Sequence, residues 1–242
     1  MIQRFLACLG LATLLSGCEL IKAAEEPTDL YTVTPKSTFE PNMPDVFWQL
    51  AVETPVSSSN LNTGRIAIAM SPTSSDYYSK TAWTDRAPLM VQTRIVDSFE
   101  NSRKIVAVAR ESIALRANYV LQPDLRNFEA MYFYGGPPIV KGKLVVKLVR
   151  MPDRQIIGVA SFERCVRARA DKVPKVVDAF DQALGSVMKQ LVNWTLKTPP
   201  PRPPSDSAPY DINRYRNPAN AVIDSANCPK GNDASMVPLT DE

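Results

Sequence analysis

The spacing of apolar residues changes along the chain, and each change marks a different element. Across 171–197, Val173, Val177, Phe180, Leu184, Val187, Met188, Leu191 and Trp194 recur three and four apart. That period lays them along one side of a helix. Lys175, Asp178, Gln182 and Lys189 fall on the opposite, wet side. Gly185 interrupts the pattern at a cost of roughly 1 kcal/mol relative to alanine, which points to close packing at that turn. Over 143–150 the period drops to two, with Leu144, Val146 and Leu148 set against Lys143, Val145, Lys147 and Val149. Pro152 and Asp153 supply a turn over 151–154. The chain then returns over 155–166 with Ile156, Gly158, Ala160 and Phe162 on one face. These two arms predict an antiparallel hairpin.

Weaker patterns precede it. Residues 46–52 and 65–70 read as strands, the second with Ile66 and Ile68 on one face, and 57–63 separates them as a polar loop. A further loop over 71–75 leads to Tyr77 and Tyr78. A helix is predicted from Asp85 over 85–98. Asp85 serves as its cap, Pro88 sits in its first turn, and Val91, Ile95 and Phe99 line its apolar face. Residues 104–109 form another strand. The stretch 118–134 is strand-like, with Pro123 marking an edge position or a bulge.

The two ends lack such patterns. Arg4 precedes an apolar or small-residue run over 5–15. A permanent membrane helix needs about 20 residues, so this run reads as the core of a cleaved signal peptide. The sequence Leu15-Ser16-Gly17-Cys18 at its end resembles a lipobox. In such a motif, cleavage falls before a cysteine whose sulfur has received diacylglycerol. Small side chains at Ser16 and Gly17 let extended chain enter a narrow cleavage site, and Cys18 offers the thiol. One acyl chain binds a bilayer reversibly, whereas the three of a mature lipoprotein anchor firmly. Glu19, where Asp would favour the inner membrane, fits sorting to the outer membrane with the body on the periplasmic face. The organisation is then 1–17 signal peptide, 18–45 lipidated Cys18 and tether, 46–197 folded domain and 198–242 tail. Pro199-Pro200-Pro201-Arg202-Pro203-Pro204 opens that tail as an extended segment, and the rest reads as largely disordered.

Composition removes most chemistry. The 242 residues include no histidine, so Ser-His-Asp triads and zinc-peptidase motifs are excluded. Serine–lysine or paired-carboxylate chemistry has no motif here. We assign no catalytic residue, metal ligand or cofactor and read the chain as no enzyme. With 28 Lys and Arg against 25 Asp and Glu, no basic excess points to nucleic acid. Of the four cysteines, Cys8 leaves with the signal and Cys18 is acylated. In an oxidising compartment Cys165 and Cys228 can pair and staple the tail to the body. The alternative is a buried thiol and an exposed one.

Several short motifs occur in a fixed order behind the lipobox. They are Tyr31-x-x-x-Pro35, Trp83-Thr84-Asp85-Arg86-Ala87-Pro88, Ala117-Asn118-Tyr119-Val120-Leu121, Asn127-Phe128-Glu129, Val177-x-x-Phe180 and Val192-x-Trp194. In this arrangement, over about residues 28–196, the chain resembles the ABC-type transport auxiliary lipoproteins, partners of MCE-type lipid transport systems. The resemblance implies a single α/β domain with a mixed, largely antiparallel sheet packed by helices. It also implies a non-enzymatic role in moving phospholipid or other hydrophobic molecules between two membranes. Expected partners are an inner-membrane MCE protein, a permease and an ATPase, with a homo-oligomer as a further expectation. A structural or scaffold lipoprotein, touching peptidoglycan or another protein, is the competing class.

Trp83, Asp85, Arg86 and Pro88 form the candidate partner-binding cluster. They read either as an exposed loop with an aromatic and an arginine anchor or, by preference, as a sheet-edge cover and a helix cap. Phe128, Tyr132, Phe133 and Tyr134 read as a groove lining or, by preference, as core. Arg164, Arg167, Arg169 and Lys172 form a basic group after the hairpin, either facing lipid headgroups or, by preference, marking a charged strand end. Gly135-Gly136-Pro137-Pro138 reads as a turn. Replacing Cys18 by Ala should leave an uncleaved precursor that takes up no palmitate analogue in metabolic labelling. Undiminished label would remove the lipidation assignment.

Overall fold

The computed structural model describes residues 28–111, 116–198, 222–223 and 228–229, so the signal, Cys18 and most of the tail lie outside the described residues. Its strands are β1 (Asp29–Tyr31), β2 (Val46–Val52), β3 (Val56–Ser57), β4 (Arg65–Ser71), β5 (Ser74–Trp83), β6 (Ile105–Arg110), β7 (Tyr119–Met131), β8 (Ile139–Arg150), β9 (Gln155–Arg167) and β10 (Val222–Ile223). Two helices, α1 (Ala87–Ser102) and α2 (Val173–Lys197), complete the set.

β7 is the axis of one mixed sheet. On one side β8 runs antiparallel along its whole length, from Tyr119 opposite Arg150 to Met131 opposite Ile139. β9 continues antiparallel to β8. The other side of β7 is shared end to end by three short parallel partners: β2 at 119–121, β3 at 124–125 and β4 at 129–131. Beyond them the sheet divides, with β6 parallel to β2 and β5 antiparallel to β4. β1 lies parallel to β5, and β10 runs parallel to β9. The antiparallel pairs carry the long registers, and six shorter contacts are parallel.

Both helices cover the same face. α2 lies on β8 and β9, α1 on β2 and β6, and the helices touch each other. Leu144, Val146, Leu148 and Phe162 point into this interface and are buried, as are Phe180, Leu184 and Leu191 from the helix. Two glycines let α2 settle. A Cβ at Gly158 would stand 2.9 Å from the Trp194 ring, and one at Gly142 would meet Ala183 at 3.7 Å. Gly185 is different: a Cβ there meets nothing within 4 Å, so close packing is not its reason. Among the described residues no helix is long and apolar enough to cross a membrane.

Several expectations shift. The folded body begins at β1 rather than at residue 46, because Val33 and Met43 are buried in the main core, and the segment 29–45 is no free tether. β5 forms over a stretch read partly as loop. Its sequence Ser-Ser-Asp-Tyr-Tyr-Ser-Lys is polar, so no apolar alternation announces it. The helix cap is Arg86, not Asp85, and it makes no side-chain cap bond. The Asp85 carboxylate instead accepts the Arg86 N–H at 2.7 Å. Helix α2 likewise starts two residues later than predicted, after an extended Lys172.

In β9 the register slips between the Leu148 and Val149 pairings, so Ile157 turns inward and is buried while Ile156 is half-exposed. Ile156 therefore leaves the face assigned to it. Pro123 sits in the central strand rather than at an edge. Leu121 accepts the Glu53 N–H on the β2 side, and alternation aims Pro123 the same way. Its missing donor falls in the break between β2 and β3, where no ladder bond is lost.

Phe180 is wholly buried against two other rings, at 5.1 Å from Trp83 and 4.8 Å from Phe128. Removing such a side chain forfeits transfer energy and leaves a cavity, so Phe180→Ala should cost about 3–5 kcal/mol. Lys175→Ala, on the exposed side, should stay within about 0.5 kcal/mol of neutral. Denaturant unfolding of both variants checks the pair.

Candidate interaction surface

The motif Trp83-Thr84-Asp85-Arg86-Ala87-Pro88 divides in space. Trp83 is 3% exposed and stacks with Phe128 at 5.3 Å. Pro88 is buried at the start of α1, while Asp85 and Arg86 are exposed. An exposed tryptophan anchor is thereby ruled out, and what remains at the surface is two neighbouring residues of opposite charge, Asp85 and Arg86. Phe128 is core. Tyr132 donates its hydroxyl to Asp171 Oδ1 at 2.7 Å and so accepts from Tyr78, 2.6 Å away. Burial and these two neighbours push the Tyr132 phenol well above its ordinary range, leaving it a neutral structural donor. The basic group is dispersed as well. The Arg167 guanidinium donates to the carbonyls of Gly135 and Pro137 at 2.8 and 2.9 Å. Both Gly135 and Gly136 have positive φ, 64° and 66°, as a tight turn requires.

The sheet face away from the helices carries a mixed surface. Lys141 and Lys143 flank Glu163 at 3.3 and 2.7 Å. Burial raises the Glu163 carboxyl, but the two lysines outweigh it and hold the group below its ordinary range. Beside them Ala69, Met131, Ile139 and Cys165 form a small apolar cluster, against which Phe133, Tyr134 and Cys228 pack. Cys165 and Cys228 are joined, with Cα atoms 4.9 Å apart. Glu163 lies within 4.8 Å of both sulfurs, yet sulfurs bonded to each other are not thiolate ligands. Together with β10, this bridge ties the end of the chain to β9.

Among the described residues the most exposed large apolar side chain is Phe47 at 90%, and Val106 on the neighbouring strand is 61% exposed. Val46 and Ile105 pair across β2 and β6, and the register shifts before Gln49 meets Ala107, so Phe47 and Val106 lie at this irregularity on neighbouring strands. Their neighbours Val46, Trp48 and Ile105 pack inward on the core. β6 has β2 as its partner, so its other edge offers unpaired backbone groups among the described residues. An exposed aromatic at an open sheet edge is a surface suited to a protein partner. The sequence reading placed this stretch as a strand but had no means of telling which of its apolar residues face out.

The described domain is a helix-covered mixed sheet with bonded cysteines and an apolar residue on its open edge. The chain belongs to the family of ABC-type transport auxiliary lipoprotein components, which matches residues 29–192. It is similar to a crystallised protein of Xanthomonas campestris, with 32% identity and a TM-score of 0.67 over 71% of this chain and 96% of that one. A second crystallised, uncharacterised protein shares the fold at 15% identity and a TM-score of 0.54, over 69% of this chain and 97% of that one. An uncharacterised protein of Bradyrhizobium diazoefficiens is 29% identical over 190 residues, or 76% of this chain. The chain spans 49% of that relative's length.

The bridge spans 63 residues of sequence, and closing a loop of that length restricts the unfolded chain by up to about 4 kcal/mol. Reduction with dithiothreitol should lower the unfolding midpoint by several degrees, and Cys228→Ser should have the lower midpoint without reductant. Thermal unfolding with and without reductant reads both. An unchanged midpoint would show that the bridge carries no stability.

Proposed function

We propose that the protein is a non-enzymatic lipoprotein held by acylated Cys18 at the periplasmic face of the outer membrane. There it serves an ABC transporter of the MCE type that moves phospholipid or other hydrophobic molecules between the membranes. Membership of the auxiliary lipoprotein family over residues 29–192 carries this reading. The domain acts by docking: exposed Phe47 on β2 and exposed Val106 on the neighbouring β6 supply apolar side chains near the open edge. The partners are an inner-membrane MCE protein and, through it, a permease and an ATPase.

Crosslinking in intact envelopes followed by affinity capture of the full-length chain should recover the membrane subunits of such a transporter. The double variant Phe47→Ser, Val106→Ser should lose them while unfolding within a few degrees of the parent, because exposed side chains contribute about 0.5 kcal/mol or less to stability. Recovery of peptidoglycan or unrelated envelope proteins alone would replace the transport reading by a scaffold role. Undiminished capture by the double variant would move the docking surface elsewhere.

A further inference from the structure

The bridge between Cys165 and Cys228 has two unequal ends. Cys165 projects from β9 and is 3% exposed, packed among Ala69, Met131 and Ile139. Cys228 is half-buried at the rim of the same cluster. Thiol–disulfide exchange starts when a thiolate attacks one sulfur of a pair, and access to that sulfur helps set the rate. The thiolate must arrive in line with the S–S bond, from behind the sulfur it strikes. Cys165, enclosed by its neighbours, offers no such path. Cys228 does.

The same bond holds more than two cysteines. β10 is two residues long and pairs in parallel with Ser161 and Phe162 of β9. Parallel pairing is slightly less stable per residue than antiparallel, and so short a strand makes little of it. A few residues on, the Cys228 bond fixes the same stretch of chain to β9. The cover over this part of the β9 edge therefore depends on one covalent bond.

Glu163 completes the surroundings, within 4.8 Å of both sulfurs. Lys141 and Lys143 hold its carboxyl below the ordinary range against the opposing effect of burial. It is thus ionised at neutral pH and has no proton to give. Its two ammonium partners also keep that charge from standing alone beside a departing thiolate.

We propose that Cys228 Sγ is a thiol-exchange site and that the bridge is a latch on the β9 edge. The attacking group is a thiolate, carried by a small thiol or by a dithiol protein. It bonds to Cys228 Sγ as the bond to Cys165 breaks, and the electron pair leaves on Cys165 Sγ, which takes a proton from water. A second thiolate of the reductant then displaces Cys228 from the mixed disulfide. The reductant ends as a disulfide, and both cysteines end as thiols. Opening leaves β10 with its short parallel pairing alone, so the strand comes away and frees backbone groups of β9 at Ser161 and Phe162 for another strand. The inference rests on the bridge and stands whether or not the transport partners are found.

Two probes test it on the full-length chain in a non-ionic detergent at neutral pH. One is reduced glutathione, the other a thioredoxin-type protein whose second cysteine is replaced by serine. After quenching with N-ethylmaleimide, peptide masses should show the probe on Cys228 and maleimide on Cys165. Reaction with only one probe would keep the site and assign its source to small thiols or to a dithiol protein. Hydrogen exchange reads the latch. Peptides containing Ser161 and Phe162 should lose protection in the reduced chain and in Cys228→Ser, while those of the β7–β8 pair keep theirs. The probe on Cys165, equal labelling of both cysteines, or a bridge that opens only in denaturant would overturn the exchange site. Unchanged protection at Ser161 and Phe162 after reduction would overturn the latch.

Discussion

Three aromatic rings from distant parts of the chain meet at one point, and most of the fold is arranged around them. Trp83 ends β5, Phe128 lies midway along β7, and Phe180 projects from the second turn of α2. Their centroids stand 5.3, 5.1 and 4.8 Å apart, with tilted and edge-on planes, an arrangement that aromatic quadrupoles favour. Phe128 is opposite Gly142 in the register, and Gly142 lies beneath Ala183 of α2, so the ring has room under the helix. Fixing Trp83 also fixes what adjoins it. Its N–H donates to the Gly64 carbonyl, Thr84 donates to Tyr31, and Ala87 donates to Thr63. One apolar contact therefore sets the end of β5, the entry of α1, the place of β1 and the seat of α2.

The parts of this fold that read clearly in sequence are those that satisfy their needs locally. The β8–β9 hairpin carries its own turn and alternation, and α2 carries an apolar stripe with Lys175, Asp178 and Gln182 outside it. β1 and β10 announce nothing because each is two or three residues long and pairs in parallel with distant chain. The three-way division of the β7 edge is likewise invisible, since parallel partners leave no mark at a shared turn. Pro123 shows the limit well. Its exclusion from a ladder is sound chemistry, but a central strand can hold it where two edge partners leave a gap. The candidate site was less legible than the fold. Exposure of Phe47 and burial of Trp83 are decided by which face the sheet presents, and alternation alone does not name the face.

The residues that carry the family likeness are, for the most part, structural. Trp83, Phe128, Phe180 and Trp194 are core, and Asn118 closes the junction of two strands. Its N–H donates to the Gln49 carbonyl, and its side-chain oxygen accepts the Gln49 N–H at 2.8 Å. A likeness built on such residues reports the scaffold, and whatever distinguishes one member's partner from another's must lie on surfaces those motifs do not reach. That is why Phe47 and Val106, neither of them in a motif, carry the docking argument.

The edges of the sheet narrow the choice of docking surface further. β9 would present a long edge beside the hairpin, and the returning tail covers part of it. β10 pairs with Ser161 and Phe162, and Cys228 bonds to Cys165 a few residues on. A covalent bond holds that cover in place wherever disulfides persist, which for a lipoprotein means outside the cytoplasm. At the far edge, β1 offers three residues next to the chain that leads back to Cys18, too short a strand to pair firmly with another protein. β6 differs from both. It is six residues long, borders no further strand among the described residues, and stands beside an aromatic side chain that water surrounds. Self-association through such an edge is the usual hazard of an open sheet, and natural sequences suppress it with charge or proline. Here the exposed mid-strand position of β6 is Val106, with the exposed Phe47 on the neighbouring β2, and the only charge of the strand is Arg110 at its end. An exposed Val106 in the middle of β6, beside the exposed Phe47 ring and away from the charge that Arg110 places only at the strand's end, is the physical reason for placing the partner there.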